Sequence, residues 1–252
     1  MPSYGFDIIE SCIACPIKAD RRFCDLPERV LQAFENLRYT TVFPEGTILF
    51  AESHEPRGVF ILCRGRVKLS LSSADGKTAI MKIAESGEVL GLSATISGQP
   101  YLVNAETIEP CQINFIKRGD FLRFLAEHTE AFFCIDQQLA EKYSYACREL
   151  RSFNMAQSAA EKVAKLLLDW MIRSGEAEKP VPHVRLLLTQ EEMGQMIAAS
   201  RETVTRVLME FTKRRIVKTQ GATLIAKGTT LIVCDKVALN SLASATEFIK
   251  LR

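Results

Sequence analysis

No stretch of the 252 residues is both long and apolar enough to cross a bilayer. Met1 to Glu10 lacks a basic region followed by an apolar run, so nothing there reads as a secretory signal. The expectation is a cytoplasmic protein with no membrane partner. Charge of one sign is also missing: 32 Lys and Arg against 30 Asp and Glu leave +2, which neither demands nor excludes a nucleic-acid partner. Histidine is scarce, and His54, His128 and His183 lie far apart with no acid pattern beside them. Phosphate-loop and nucleophile-elbow motifs are absent, so the chain is not expected to be an enzyme. Internal repeats and low-complexity tracts are absent as well.

What is present is an ordinary globular balance, 47% hydrophobic and 25% charged, in a length that suits two domains. Eight cysteines are many for a reducing compartment, where disulfides are disfavoured and clustered thiols point to metal or redox chemistry. Cys12, Cys15 and Cys24 are clustered near the start. Cys63, Cys111, Cys134, Cys147 and Cys234 are scattered, as small buried hydrophobes are.

The chain changes texture along its length. Residues 1–26 form a cysteine-bearing arm. Residues 27–129 open on a helical stretch, with Val30, Leu31, Phe34 and Leu37 at helical spacing. Short β-branched runs between glycine-centred turns follow: 47–50, 59–63, 67–71, 78–83, 105–108 and 112–116. Asp75-Gly76 marks a hairpin between the third and fourth of these. Such spacing predicts a β-roll. Residues 130–154 contain neither Gly nor Pro, and Ile135, Leu139, Tyr143, Ala146, Leu150 and Phe153 recur at spacings of three and four. That pattern predicts a long helix with a dimerisation seam. Residues 155–252 form the last domain. It begins with a helix capped by Ser158 and Glu161, followed by a polar linker from Gly175 to His183.

The sharpest pattern runs from Leu188 to Leu208. Thr189 with Glu192 starts one helix, Gln190 to Ile197; Ala198-Ala199 makes a tight turn; Ser200 caps a second helix from Arg201 to about Arg214. Two short helices joined in this way are a helix-turn-helix. Arg201, Glu202, Thr205 and Arg206 share one face at the start of the second helix. Arginine can donate two hydrogen bonds to guanine, and glutamate can accept from the cytosine amino group. Arg185 to Lys227 holds eight Lys and Arg against four Asp and Glu, a local excess of +4. Strand-like runs at 216–219, 221–226 and 230–233 read as a wing, with Lys213, Lys218 and Lys227 placed for phosphate. The residues assigned to DNA contact are Thr189, Gln190, Ser200, Arg201, Glu202, Thr205, Arg206 and Lys218. A pure ligand-binding module would require that face to be inert.

The stretch from Leu188 to Leu208, with its Ser-Arg-Glu-Thr-Val-Thr-Arg core at 200–206, closely resembles the DNA-binding motif of the catabolite-activator/fumarate-nitrate regulator (Crp/Fnr) family. Roll, long helix and winged helix-turn-helix occur in family order over nearly the whole chain. The resemblance implies an α+β fold with an N-terminal cyclic-nucleotide-binding-like β-roll, a dimerisation helix and a C-terminal winged helix-turn-helix. It also implies a homodimer on palindromic double-stranded DNA with a TGTGA-like half-site, and RNA polymerase as partner.

Two sensors occur in that family. Its cyclic-nucleotide site resembles Gly87-Glu88 here, but the phosphate-gripping arginine is missing: no arginine lies between Gly87 and Lys117. A buried phosphate without a cation is costly, so a cyclic nucleotide is not expected. The fumarate-nitrate branch holds an oxygen-labile [4Fe–4S] cluster on four thiolates. By that resemblance the ligands here would be Cys12, Cys15, Cys24 and Cys111. One departure is the gap of eight residues between Cys15 and Cys24, longer than in that branch. A zinc site, a thiol switch, a small ligand, or cysteines with no metal stay open as alternatives.

Overall fold

The computed structural model describes residues 7–15, 18, 23–73, 75–154, 158–220, 225 and 227–243, the side chains at 145 and 148–154 excepted. The chain divides into two compact units, Met1–Ala146 and Cys147–Arg252. The division falls inside the long helix, so most of that helix belongs to the first unit rather than forming a segment of its own.

In the first unit α1 (Glu28–Glu35) buries Val30, Leu31 and Phe34, the stripe its sequence spacing predicts. Strands β1 (Tyr39–Phe43), β2 (Ile48–Phe50), β3 (Gly58–Arg64), β4 (Val67–Ser72), β5 (Thr78–Ala84) and β6 (Val89–Leu90) follow. After the short helix α2 (Leu92–Ser97) come β7 (Asn104–Thr107), β8 (Cys111–Lys117), α3 (Arg118–Glu127) and the long α4 (Thr129–Asn154). The strands make two four-stranded antiparallel sheets, ordered β1-β8-β3-β6 and β2-β7-β4-β5. This is the expected β-roll. Strands β1 and β6 and helix α2 were not singled out by the sequence pattern. Gly76, at φ 79°, closes the β4–β5 hairpin as the Asp-Gly signal predicts.

The first sheet is covered on both faces. Val59 and Ile61 of β3 point to a core shared with Phe34, Phe121, Phe124 and Ile135. Phe60 and Leu62 point to a second core with Phe50, Val67, Ala105 and Ile113. Double coverage is why β3 reads as a continuous apolar run rather than an alternation.

Helix α4 corrects part of the expected seam. Ile135 is 2% exposed in the core of its own domain, and Leu139 packs half-buried against that core. Tyr143, by contrast, is 73% exposed and Ala146 is exposed. The side chains of Leu150 and Phe153 lie outside those described.

The second unit contains α5 (Ala159–Arg173), β9 (His183–Arg185), α6 (Gln190–Ile197), α7 (Arg201–Lys213), β10 (Val217–Thr219), β11 (Thr230–Val233) and α8 (Lys236–Ala243). Its antiparallel sheet has the order β10-β11-β9. β9 lies beyond the polar linker and was not foreseen; it pairs Arg185 with Thr230. Of the expected wing strand at 221–226 only Ile225 is described, and it is not in a strand. α8 begins at Lys236, just after β11 and Asp235, and buries Leu239. Val163, Leu167, Val204, Leu208 and Phe211 are buried between the helices.

Candidate functional site

Two short helices and a tight turn present the polar face singled out in the sequence. At the head of α6, Thr189 Oγ1 accepts from the Glu192 N–H at 3.1 Å while Glu192 Oε2 accepts from the Thr189 N–H at 2.9 Å. At the head of α7, Ser200 Oγ accepts from the Thr203 N–H at 3.2 Å. Between the helices Ala198 takes φ 55°, and the Ala199 N–H donates to the Gly194 carbonyl at 2.9 Å. A Cβ on Gly194 would stand 2.5 Å from the Ala199 oxygen, so only glycine lets the turn close this tightly.

Val204, Val207, Leu208 and Phe211 face inward, which leaves Arg201, Glu202 and Arg206 exposed together. Burial therefore separates the face that holds the fold from the face that can meet DNA. Glu202 is held below the usual carboxylate range by its own backbone N–H and then by the Ser200 hydroxyl, so it is an anionic acceptor. Lys218 is exposed on β10. Two of the predicted contacts have internal roles. Thr205 donates to the Arg201 carbonyl at 2.9 Å and is also hydrogen-bonded to Gln190 Oε1. Gln190 Nε2 in turn donates to the Ile225 carbonyl at 2.6 Å. The pair braces α6, α7 and the wing. Sequence spacing showed each residue but not the link.

The arm docks on the outer face of the first sheet through polar clamps. Gln112, 0% exposed, accepts from the Ile9 N–H at 2.8 Å and donates to the Ile9 carbonyl at 2.7 Å. Glu35 accepts from the backbone N–H of Cys12, and Arg38 donates to the Glu10 carbonyl. Asn114 Nδ2 reaches Cys12 Sγ at 3.6 Å. At the arm's other end Phe23 is 1% exposed, edge-on to Phe34 with ring centroids 5.5 Å apart. These contacts bring Cys12, Cys15 and Cys24 around one cavity that is also lined by Cys63, Phe23, Phe34, Ile61 and Asn114. Burial raises the Cys12 thiol above its ordinary value.

Cys111 does not join them. It packs in the core between the two sheets, with its Sγ 3.2 Å from the carbonyls of Arg66 and Glu109. Burial pushes its thiol up to about 12. The four cysteines drawn from the resemblance are thus not brought together, and Cys63, read only as a scattered hydrophobe, stands where Cys111 was expected. Among the described residues no three His, Cys, Asp or Glu side chains converge closely enough to hold a single metal ion. The donor chemistry at the cavity suits a soft metal. The enclosed volume is about 20 Å³, roughly one water's room, so a cluster enters only if the arm moves outward.

In the segment resembling a nucleotide site, Glu88 and Val89 are hydrogen-bonded to the protein's own lysines. Glu88 Oε2 accepts from Lys82 Nζ at 2.5 Å, and Glu88 Oε1 accepts from the Glu85 N–H at 3.0 Å. Lys142 of α4 donates to the Val89 carbonyl at 2.8 Å. Burial brings the Lys142 ammonium down to about 8, against the attraction of Glu88.

Comparison with known proteins follows the same division. A cyclic nucleotide-binding domain matches residues 40–128, and a Crp-like helix-turn-helix domain matches residues 161–241. The chain is 28% identical over 187 residues to the CRP-like cAMP-activated global transcriptional regulator of Mycobacterium tuberculosis, covering 73% of this chain and 81% of that protein. It is 26% identical over 195 residues to the transcriptional activatory protein AadR of Rhodopseudomonas palustris, covering 74% and 76%. The structure of FixK2 from Bradyrhizobium japonicum matches at a TM-score of 0.70 and 20% identity, over 83% of this chain and 98% of that one, which shows a shared fold.

Proposed function

Because the chain belongs to the Crp/Fnr family of DNA-binding transcription regulators, we propose that it acts as a cytoplasmic homodimer on palindromic double-stranded DNA, controlled by a redox- or oxygen-responsive iron–sulfur cluster on its cysteine arm. The observation that carries the DNA half is the exposed face of Arg201, Glu202 and Arg206 at the capped start of α7. The two arginines donate to guanine edges and Glu202 accepts from a cytosine amino group, reading a TGTGA-like half-site. Thr189, Ser200 and Lys218 take phosphate and set the register, while Gln190 and Thr205 hold the helices in place. The DNA-bound dimer recruits RNA polymerase.

The control half rests on the arm. A bound cluster supplies an oxygen-labile link that thiolates alone lack. The arm packs on the same core as Ile135 of α4, so a change at its thiols would be felt by that helix. Through α4 the signal reaches the dimer seam, and it acts by favouring one of two states. A second reading, oxidation of the arm thiols without a metal, is favoured by the small volume they enclose. Control by a cyclic nucleotide is named for the mycobacterial relative. Here the absent arginine and the Lys82–Glu88 pair argue against it.

Fluorescence anisotropy with a palindromic TGTGA duplex tests both halves. Arg206→Ala weakens binding by about 1–3 kcal/mol and relaxes selectivity at one base pair. Lys218→Ala weakens all sequences alike and lowers the salt slope by about 1. Air lowers the affinity of the anaerobically purified protein, and cyclic AMP leaves it unchanged. Wild-type affinity in both Arg201→Ala and Arg206→Ala would overturn the DNA reading. A rise with cyclic AMP and no response to air would move control from the arm to the roll.

A further inference from the structure

We propose that Met209, with the methyl group of Thr205 beside it, reads the C5-methyl group of a thymine in the major groove, next to the bases met by Arg206. The inference rests on the reading that α7 is the helix that contacts DNA, and it adds an apolar contact to the charged ones.

Burial along α7 sets Met209 apart from its apolar neighbours. Val207, Leu208 and Phe211 are buried, whereas Met209 is 65% exposed. It contributes little to the core, yet its place on the helix is regular. Glu202, Thr205, Arg206 and Met209 follow the spacing i, i+3, i+4 and i+7, which is one face over two turns. Recognition helices read bases across a face of that span. Met209 lines one shallow trough on α7 together with Thr205, Arg206 and Lys213.

Chemistry narrows what this face can meet. A thioether has no hydrogen to donate to phosphate, and Glu210, exposed beside it, repels phosphate. The strip therefore suits the floor of the groove rather than the DNA backbone. Every specific group that base edges present in the major groove is a donor or an acceptor, except the C5-methyl of thymine. Thr205 fits the same partner. Its hydroxyl donates to the Arg201 carbonyl at 2.9 Å and is hydrogen-bonded to Gln190 Oε1, so the group it has left to offer DNA is its methyl. Four helical residues advance about 6 Å, so Thr205 and Met209 together cover about two base steps. The unbranched methionine chain can adapt its end to the methyl it covers.

The test uses the full chain, purified anaerobically. It first selects duplexes from a randomised library, and fluorescence anisotropy is then measured on the best-bound one. Each thymine is replaced in turn, in both half-sites, by uracil, which lacks the methyl and keeps every hydrogen-bonding group. The wild type is expected to lose about fourfold per half-site at one thymine position, the factor that one methyl group taken out of water supplies. Met209→Ala is expected to bind the thymine and uracil duplexes alike, with an unchanged salt slope because no phosphate contact is lost. Met209→Leu is expected to keep the discrimination, and Thr205→Ser, which retains the hydroxyl, to lose part of it. Circular dichroism confirms that each variant is folded. Selected duplexes with no fixed thymine, no uracil effect in the wild type, or a full uracil effect in Met209→Ala overturn the assignment while leaving the DNA reading intact. A wild type that selects no sequence overturns the DNA reading and this assignment with it.

Discussion

Lys142 illustrates how one residue can connect a helix to a sheet at an electrostatic penalty. Its ammonium reaches the Val89 carbonyl with Glu88 and Lys82 as its charged neighbours, and burial brings it down to about 8 from an ordinary 10.5. The unfolded chain therefore binds more protons than the folded one between those values. Its contribution to stability is present above 10.5 and lost as pH falls through 8. Wild-type stability relative to Lys142→Met should rise by on the order of 1–3 kcal/mol from pH 8 to 10.5. Urea unfolding of both proteins across that range measures the difference, and ionising cysteines cancel in it. A pH-independent difference would refute the account. Gly194 offers a second check. A methyl group there meets the Ala199 oxygen, so Gly194→Ala should destabilise the DNA-binding unit by about 1–3 kcal/mol and weaken DNA binding. An unchanged melting curve would show that the turn has slack.

At the scale of elements, the arm and its anchor make the clearest case. Phe23 fills a pocket between Phe34 and Phe121. Phe23→Ala should cost about 3–5 kcal/mol and speed alkylation of Cys24 beside it. Timed iodoacetamide labelling read by mass spectrometry would reveal it; equal labelling rates would mean the arm is held elsewhere. What could be read from the sequence follows from range. The capping boxes Ser158–Glu161 and Thr189–Glu192 span three residues each and were legible from spacing alone. The exposed polar side of α7 was legible because its apolar stripe is regular. The side on which Cys63 and Cys111 lie was not. β3 is buried on both faces, which erases the alternation that would reveal direction, and a bulge interrupts its register. The Gln190–Thr205 brace joins two helices whose meeting depends on the Gly194 turn, so neither residue alone announced it.

For the whole molecule the proposed dimer turns on the long helix. Ile135 and Leu139 serve the roll's own core while Tyr143 is 73% exposed, so a seam along this helix, if the proposed dimer uses it, would include Tyr143. Tyr143→Glu should shift sedimentation from dimer toward monomer and lower affinity for a full palindrome more than for a half-site. A dimer that survives the substitution would move the seam to the exposed Phe132 and Phe133.

The pairing of Ile9 with Gln112 also fixes an order of events during synthesis. The two partners are 103 residues apart, so at roughly 5–20 residues per second the arm leaves the ribosome about 5–20 s before its clamp exists. For that interval Cys12, Cys15 and Cys24 have neither Gln112 nor Asn114 to dock against. The nascent chain thus leaves those thiols uncovered until the sheet that carries Gln112 and Asn114 has been made.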